Sequence, residues 1–278
     1  MFTDKDQNRR QPARRGAPQS KPYKSRPNGR ERFEDDGLLL EGKNAVQEAL
    51  ESGREIDKIF FAAGSLKTVG HLVARAREQG ITAMEVDRHK LDRMSATGAH
   101  QGIIAQCAAA QYASMEDILA LAKQRGEKPL LILCDGVTDP HNLGAIIRSC
   151  EIAGGHGVVI PKRRSAGLNG ACAKAAAGAL EHLPVAKCQN MQQAIEFLQK
   201  NGVFVFAADM GGAAMYETDL TVPAAIVIGA EGEGVSRLVR DKCDGVVSIP
   251  QKGKIQSLNA SNAAAVLLYE AYRQRLNG

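Results

Sequence analysis

The fold of this chain is constrained most strongly by short, wholly apolar segments that alternate with helical patterns from Pro129 to the C-terminus. The apolar segments read LLILC, GVVIP, LPVAK, VFVFAAD, AAIVIGAE and GVVSIP, and helical spacing covers about 142–153, part of LNGACAKAAAGAL, 190–200, 236–242 and 259–275. Strands that are apolar along their whole length are typical of a parallel sheet covered by helices on both faces. The pattern predicts an α/β domain over residues 129–278, with ligands bound beyond the carboxyl ends of its strands.

Residues 37–112 show a second, shorter alternation. The segments IDKIFFAA, ITAMEV and HQGIIAQCAAA are strand-like, whereas LLLEGKNAVQEALES and about 67–79 have helical spacing. A chain of 278 residues has room for two domains. We therefore expect a small α/β domain at 37–112, joined to the larger one by a short helix and connector at 113–128.

The first 36 residues differ in composition from the rest. Residues 1–30 hold nine Lys or Arg against Asp4 and Asp6, whereas the whole chain carries a net charge of only +5. Because this basic tail is rich in Pro and Gly and nearly lacks apolar residues, it is predicted to be disordered. A flexible cationic arm favours binding to nucleic-acid phosphates. A solubilising tail is an open alternative, and an organellar transit peptide fits less well because prolines interrupt any amphipathic helix.

The cysteines and the lengths of the apolar runs exclude several classes of protein. The six cysteines include no CxxC pair and no histidine at metal-ligand spacing, so neither a zinc site nor a disulfide framework is predicted. No run approaches the roughly 20 apolar residues that cross a bilayer, and the N-terminus lacks the pattern of a signal peptide. We expect a cytoplasmic protein with reduced thiols, no metal and no membrane association.

Three strand-ending loops carry residues that the fold alone does not require. The first reads DGVTDPHNLGAIIRS, with Asn142 near the start of a helix and Arg148 six residues later. Asparagine is a favoured helix cap, so capping alone could explain Asn142. Arg148 stands among apolar neighbours, where a guanidinium needs a carboxylate, a phosphate or solvent.

The second and third loops read IVIGAEGEGVSRLV and SIPQKGKIQSLNASN. The glycines of the second loop do not match a dinucleotide or Walker fingerprint, and each could serve a turn, but Glu231 between them has no capping role. In the third loop, Ser257 or Asn259 is expected to cap the last helix. The presence of both, followed by Asn262, exceeds what capping needs.

In this order, the three loops resemble the three motifs of the SpoU branch of the SPOUT methyltransferases. The resemblance rests on NLGAIIR, GAEGEG and the IP and SLNAS stretches, and it covers about residues 129–278. It implies a homodimeric, metal-free enzyme that moves a methyl group from S-adenosylmethionine to a ribose 2′-hydroxyl of RNA. It also implies a C-terminal trefoil knot, which general folding rules alone would not predict.

Residues 37–112 resemble the small L30e-like RNA substrate-binding domain that precedes the catalytic domain in larger members. The phrase DGVTDPHNLGAIIRS and the two-domain layout are most similar to bacterial members that act on a guanosine of large-subunit (23S) ribosomal RNA. Lys43, in LEGKNAV, could contact an RNA phosphate or belong to a solvated helix start. The last helix, with its apolar stretch AAAVLLYEAY, is expected to contribute to a homodimer interface.

The resemblance also implies roles for individual residues. The residues with expected catalytic roles are Asn142, Arg148, Glu231, Ser257 and Asn259. The residues expected to bind the donor are Ala208, Gly229, Ile249 and Leu258. Because a guanidinium with a pKa of about 12.5 or higher is a poor proton acceptor, we expect Arg148 to bind a phosphate and stabilise negative charge on oxygen.

Two other functions are compatible with these motifs. One is a tRNA 2′-O-methyltransferase of the same family, and the other is a non-catalytic RNA-binding or ribosome-assembly protein. Phosphoryl or hydride transfer with a nucleotide cofactor lacks its fingerprints in this chain.

Overall fold

The computed structural model describes residues 38–254 and 257–276. The predicted disordered tail, residues 1–36, lies outside the described residues. Within the described ranges the chain forms two sheets with their associated helices, and none of those helices has the length and apolar character needed to cross a membrane.

The N-terminal sheet has four strands and three helices. Its elements are β1 (Leu39–Glu41), α1 (Lys43–Glu51), β2 (Ile56–Ala62), α2 (Leu66–Glu78), β3 (Thr82–Val86), α3 (Arg88–Met94) and β4 (Ile103–Cys107). The strand order is β1-β4-β2-β3, with β2 and β3 parallel and β4 antiparallel to both of its neighbours. The prediction that the segment LLLE begins a helix is wrong. It pairs as β1 with β4, and Gly42, with a φ of 88°, separates the strand from α1.

The C-terminal sheet has six parallel strands. Its elements, with the preceding helix, are α4 (Met115–Arg125), β5 (Leu130–Asp135), α5 (Pro140–Ile152), β6 (Gly157–Pro161), α6 (Gly170–Ala176), β7 (Val185–Cys188), α7 (Met191–Lys200), β8 (Phe204–Ala214), β9 (Ala224–Gly229), α8 (Arg237–Arg240), β10 (Gly245–Ser248) and α9 (Ala260–Leu276). The strand order is β10-β8-β9-β5-β6-β7.

The central strand β5 shows why these segments are apolar throughout. Leu130 and Ile132 pack in a cluster with residues of α5 and α9, whereas Leu131 and Leu133 pack on the other face with residues of α4 and α7. All four side chains are at most 1% exposed. Because successive residues of a strand point to opposite faces, a strand covered on both sides must be apolar at every position. The predicted parallel-sheet α/β fold is confirmed, while the knot stays a prediction.

Buried polar contacts fix the N-terminal sheet against the C-terminal one. Asp57, in β2, accepts hydrogen bonds from Lys187 Nζ at 2.7 Å and from the Tyr112 hydroxyl at 2.5 Å. Lys187 Nζ also lies 3.6 Å from the centroid of the Tyr112 ring, and the Tyr112 hydroxyl accepts from Leu168 N at 2.9 Å. A Cβ atom at Gly167 would lie 2.4 Å from Asp57 Oδ2, so only glycine allows this close approach. The N-terminal sheet therefore packs directly against the C-terminal part of the chain through these buried contacts.

Candidate active site

Three side chains from the three motif loops form one hydrogen-bonded cluster at the carboxyl edge of the C-terminal sheet. Asn142 Nδ2 donates to Glu231 Oε1 at 2.9 Å. Asn259 Nδ2 donates to Asn142 Oδ1 at 3.0 Å and to Glu231 Oε1 at 2.5 Å. The structure thus joins residues that lie 89 and 117 positions apart from Asn142 in the sequence.

Asn142 does not cap its helix. Asp139 occupies the cap position of α5 and accepts from His141 N at 3.0 Å, and Pro140 begins the helix. Asn142 lies inside the first turn, is only 7% exposed and directs its amide towards Glu231. The capping explanation for Asn142 is therefore excluded.

Asn259 both caps α9 and joins the cluster. Its Oδ1 accepts from Ser261 N at 3.0 Å and from the Ser261 hydroxyl at 2.6 Å, while its Nδ2 donates to the other two members of the cluster. The expectation that Ser257 or Asn259 caps the last helix is confirmed for Asn259. Because an amide has both donor and acceptor groups, one side chain serves both purposes.

Glu231 is presented by a tight loop after β9. Ala230 and Gly234 exchange two backbone hydrogen bonds, at 3.1 and 2.9 Å, which close the loop around Glu231. Gly232 and Gly234 have φ values of 83° and 69°, in the left-handed region that glycine tolerates. A Cβ atom at Gly229 would lie 2.0 Å from the carbonyl carbon of Gly234. The glycines of this loop therefore serve both a turn and a close approach of backbone segments.

A cavity of about 240 Å³ adjoins this cluster. The expected donor-binding residues all line the cavity: Ala208, Gly229, Ile249 and Leu258. Glu231 and Ser257 also line it, so the cluster and the cavity share a wall.

Arg148 lies apart from the cluster. Its side chain is exposed on α5, does not line the cavity, and forms no hydrogen bond or ion pair with any residue of the ranges 38–254 and 257–276. Six residues of α-helix separate it from Asn142, a rise of about 9 Å. The sequence predicted a carboxylate, a phosphate or solvent around this guanidinium, and in the single chain it faces solvent.

The thiols of Cys150 and Cys172 are buried in the protein interior. Burial raises the pKa of Cys150 and of Cys172 to about 12, so both remain protonated near neutrality. Among the described residues, no group of three or more His, Cys, Asp or Glu side chains is arranged to hold a metal ion.

Comparison with known proteins accounts for both sheets. Residues 129–269 match the model of the SpoU rRNA methylase family, and residues 39–113 match that of the RNA 2′-O ribose methyltransferase substrate-binding domain. The chain is 44% identical over 236 residues to the putative TrmH family tRNA/rRNA methyltransferase YacO of Bacillus subtilis, covering 84% of this chain and 94% of the relative. The chain belongs to the SpoU rRNA methylase family. Its general activity as an RNA methyltransferase follows from this membership.

Solved structures of SpoU proteins have the same fold. The SpoU methyltransferase AviRb of Streptomyces viridochromogenes, in complex with the cofactor AdoMet, superposes with a TM-score of 0.56 at 26% identity, over 86% of this chain and 91% of AviRb. The A. aeolicus TrmH/SpoU tRNA modifying enzyme has a TM-score of 0.50 at 28% identity, over 59% of this chain and 84% of that one.

Two residues at the site of this SpoU chain, Glu233 and Asp135, were missed by reasoning from the sequence. Glu233 lines the cavity. Asp209 and Met210 also line it, and they lie in the stretch 208–211 that the resemblance implies for the donor pocket; Asp209 Oδ2 lies 3.2 Å from Arg240 Nη1. Asp135, at the end of β5, accepts from Ser236 N at 2.9 Å and so ties β5 to the glycine loop. The signal that could have found Asp135 is its position at the end of an apolar run that forms a strand of the parallel sheet.

Proposed function

We propose that this SpoU chain transfers a methyl group from S-adenosylmethionine to the ribose 2′-hydroxyl of a guanosine in large-subunit (23S) ribosomal RNA. The observation that carries the proposal is the cluster of Asn142, Glu231 and Asn259 beside the cavity that the donor-binding residues line. Family membership supports RNA as the acceptor, and the AviRb complex supports AdoMet as the donor.

The cavity is chemically suited to this donor. S-adenosylmethionine supplies a methyl group on a positively charged sulfur. The carboxylates of Glu231 and Glu233 line the cavity, and no Lys or Arg of the described residues does. Negative charge without an opposing cation favours a cationic ligand. Apolar side chains of Ile249 and Leu258 complete a wall that suits a planar heterocycle.

The cluster is suited to hold the acceptor ribose. Displacement at the methyl carbon requires that the attacking oxygen be aligned and that water be excluded. Glu231 accepts both amide hydrogen bonds, so it orients the side chains of Asn142 and Asn259. Asn142 and Glu231 would then position the ribose, while Asn259 and Ser257 orient the nucleoside and the loop on which the donor rests.

Arg148 is assigned to the phosphate next to the target ribose. Its guanidinium has no partner among the described residues, so it is available for bidentate binding of a phosphate. Arg148→Ala is expected to abolish turnover while donor affinity, measured by calorimetry, stays within a few-fold of wild type. Arg148→Lys keeps the charge without the planar fork and should retain partial activity. A large loss of donor affinity in Arg148→Ala would contradict this role.

A homodimer would cover the surface next to Arg148. The expected interface stretch AAAVLLYEAY is divided in the structure: Ala264, Leu267 and Leu268 are buried within the chain. The exposed apolar side chains of α5 and α9 are Ile152, Tyr269, Tyr272 and Leu276, which are 42–65% exposed. Ile152 follows Arg148 by one helical turn, so a second copy docked on this face would lie beside the arginine. Sedimentation of the purified protein measures this state directly.

The chain is divided functionally as the motifs suggest. We assign residues 1–36 to a basic tail, 37–112 to an L30e-like RNA substrate-binding domain, 113–128 to a linker and 129–278 to methyl transfer. Lys43, at the start of α1, has no side-chain partner among the described residues and is a candidate phosphate contact.

The proposed function is tested by identifying the methylated nucleoside. The protein is incubated with labelled S-adenosylmethionine and, separately, protein-free large-subunit ribosomal RNA, an immature large ribosomal particle and transfer RNA, and each RNA is digested for mass spectrometry. Ribose-labelled guanosine from ribosomal RNA, free or in the particle, is the expected result. Label in transfer RNA alone would assign the chain to the tRNA-modifying members. Donor binding without label in any RNA would favour a non-catalytic RNA-binding protein.

A further inference from the structure

Three consecutive cations follow β6, at the carboxyl edge that also carries the active site. Arg163 and Arg164 are exposed and Lys162 is half-buried. None of the three side chains forms a hydrogen bond or ion pair with a residue of the described ranges. Beyond residues 1–30 the chain holds more acidic than basic residues, so this concentration of unpaired positive charge is not a general property of its surface. We call residues 162–164 the basic segment.

The basic segment is anchored to both functional parts of the molecule. On one side, Ala166 N donates to the carbonyl of Val137 at 2.8 Å, and Val137 lies in the loop that leads to Asn142. On the other side, the carbonyl of Ser165 accepts from Lys58 Nζ at 3.3 Å, and Lys58 belongs to β2 of the N-terminal sheet. The basic segment is therefore held between the loop that joins β5 to α5 and the small domain, residues 37–112.

The strand order defines the path along this edge. The strands occur in the order β9, β5, β6 and β7. Glu231 follows β9, Asn142 lies in the helix after β5, the basic segment follows β6, and Lys187 lies within β7. Lys187 bonds to Asp57 of the small domain. Because neighbouring strands are about 4.8 Å apart, the basic segment is one strand spacing from the loop of Asn142. An RNA strand that runs from the small domain to the cluster would pass over it.

The backbone of the basic segment is itself unusual. Arg164 has a φ of 57°, a left-handed conformation that a residue with a Cβ atom rarely adopts. Such conformations persist where the surroundings fix them, and they concentrate at binding sites. Here the fixing contacts are the hydrogen bonds of Ser165 and Ala166 to the carbonyl of Val137.

We propose that Lys162, Arg163 and Arg164 bind consecutive phosphates of the substrate RNA between the small domain and the cluster. This role rests on the proposed function, because it takes RNA to be the substrate. Phosphate contacts position a nucleic acid without reading its sequence. The basic segment therefore sets the register that places the target ribose at Asn142, and it acts on RNA alone, not on the methyl donor.

The test compares two variants that lose the same charge at different places. Arg163→Gln/Arg164→Gln removes two cations of the basic segment, and Lys123→Gln/Arg125→Gln removes two exposed cations from the last turn of α4. The RNA is the one that the wild type binds most tightly of the three used above. RNA affinity is measured by fluorescence anisotropy from 50 to 300 mM salt, and donor affinity by calorimetry.

The basic-segment variant is expected to bind RNA about tenfold or more weakly near 150 mM salt. Its slope of log affinity against log salt should be smaller in magnitude by about 1.4–1.8, since each lost phosphate contact removes about 0.7–0.9. Donor affinity should stay within twofold of wild type, and the α4 variant should match wild type in both measurements. If the double variant fails to bind donor, Arg163→Gln alone should still reduce the slope by about 0.7–0.9.

The two hypotheses fail in different ways. If the basic-segment variant has the same RNA affinity and the same salt slope as the α4 variant, the proposed role of the basic segment is overturned, whether or not methyl transfer occurs. If the basic-segment variant shows the expected difference in salt slope from wild type but the wild type transfers no methyl group, the role of the basic segment stands and the proposed function is refuted. A wild type that binds none of the RNAs would overturn both.

Discussion

Replacing Lys187 by Met is expected to lower the free energy of unfolding by about 3–5 kcal/mol, because it leaves the carboxylate of Asp57 buried without a counterion. The side chains of Asp57 and Lys187 are 2% and 19% exposed, so solvent screens little of their interaction. Asp57 Oδ2 is buried and has no hydrogen-bond partner among the described residues. After the substitution, only the hydroxyl of Tyr112 would still bond to this carboxylate.

A double-mutant cycle separates the ion pair from its surroundings. Asp57→Asn alone leaves the cation of Lys187 without its partner and is also expected to destabilise the protein. The variant Asp57→Asn/Lys187→Met carries neither charge, so it should lose less than the sum of the single changes, with a coupling free energy of about 1–3 kcal/mol. Tyr112→Phe removes hydrogen bonds of 2.5 and 2.9 Å and should cost about 1–3 kcal/mol.

Urea unfolding followed by circular dichroism measures these differences, provided that the dependence on urea concentration is the same in all variants. Lys123→Met, on the exposed surface of α4, is the matched control and should remain within about 0.5 kcal/mol of wild type. The buried-pair explanation is refuted if Lys187→Met behaves like this control, or if the two single changes simply add.

Gly229→Ala should reduce donor affinity at least tenfold in calorimetry, because the added Cβ atom would lie 2.0 Å from the carbonyl carbon of Gly234 and must displace the cavity wall. The control is Gly70→Ala, since no atom lies within 4 Å of its Cβ position. Unchanged donor affinity in Gly229→Ala would contradict the assignment of Gly229 to donor binding. Burial lowers the pKa of His156 below its ordinary 6.5 against the opposing influence of Glu127. The unfolded chain therefore binds more protons than the folded one, so stability is complete above about pH 6.5 and decreases as the pH falls below it. Thermal midpoints measured from pH 5 to 8 should fall as the pH is lowered, and they should fall less in His156→Gln. An equal dependence of the midpoint on pH in the two proteins would argue against the role of His156.

Local periodicity was sufficient to predict nearly every strand and helix of the C-terminal half. The central strands β5 and β9 are buried on both faces, so nearly every position of each is apolar in the sequence. β1 escaped because three residues, Leu39–Glu41, are too few to show a period of two, and because the partner that makes them a strand lies more than 60 positions later in β4. Helix α3 was also missed, since seven residues are too few to show a clear helical stripe.

The sequence by itself determined the family and the candidate residues of the site, because the order of the motifs and the identity of their residues can be read without a structure. It could not choose between capping and function for Asn142, since both require the same residue near the same helix end. Only the tertiary structure decided this, by placing Asp139 at the cap and Glu231 within 2.9 Å of the Asn142 amide. It also separated Arg148 from the cluster. Contacts between loops depend on strand order, and strand order is a property of the folded sheet that no local pattern encodes.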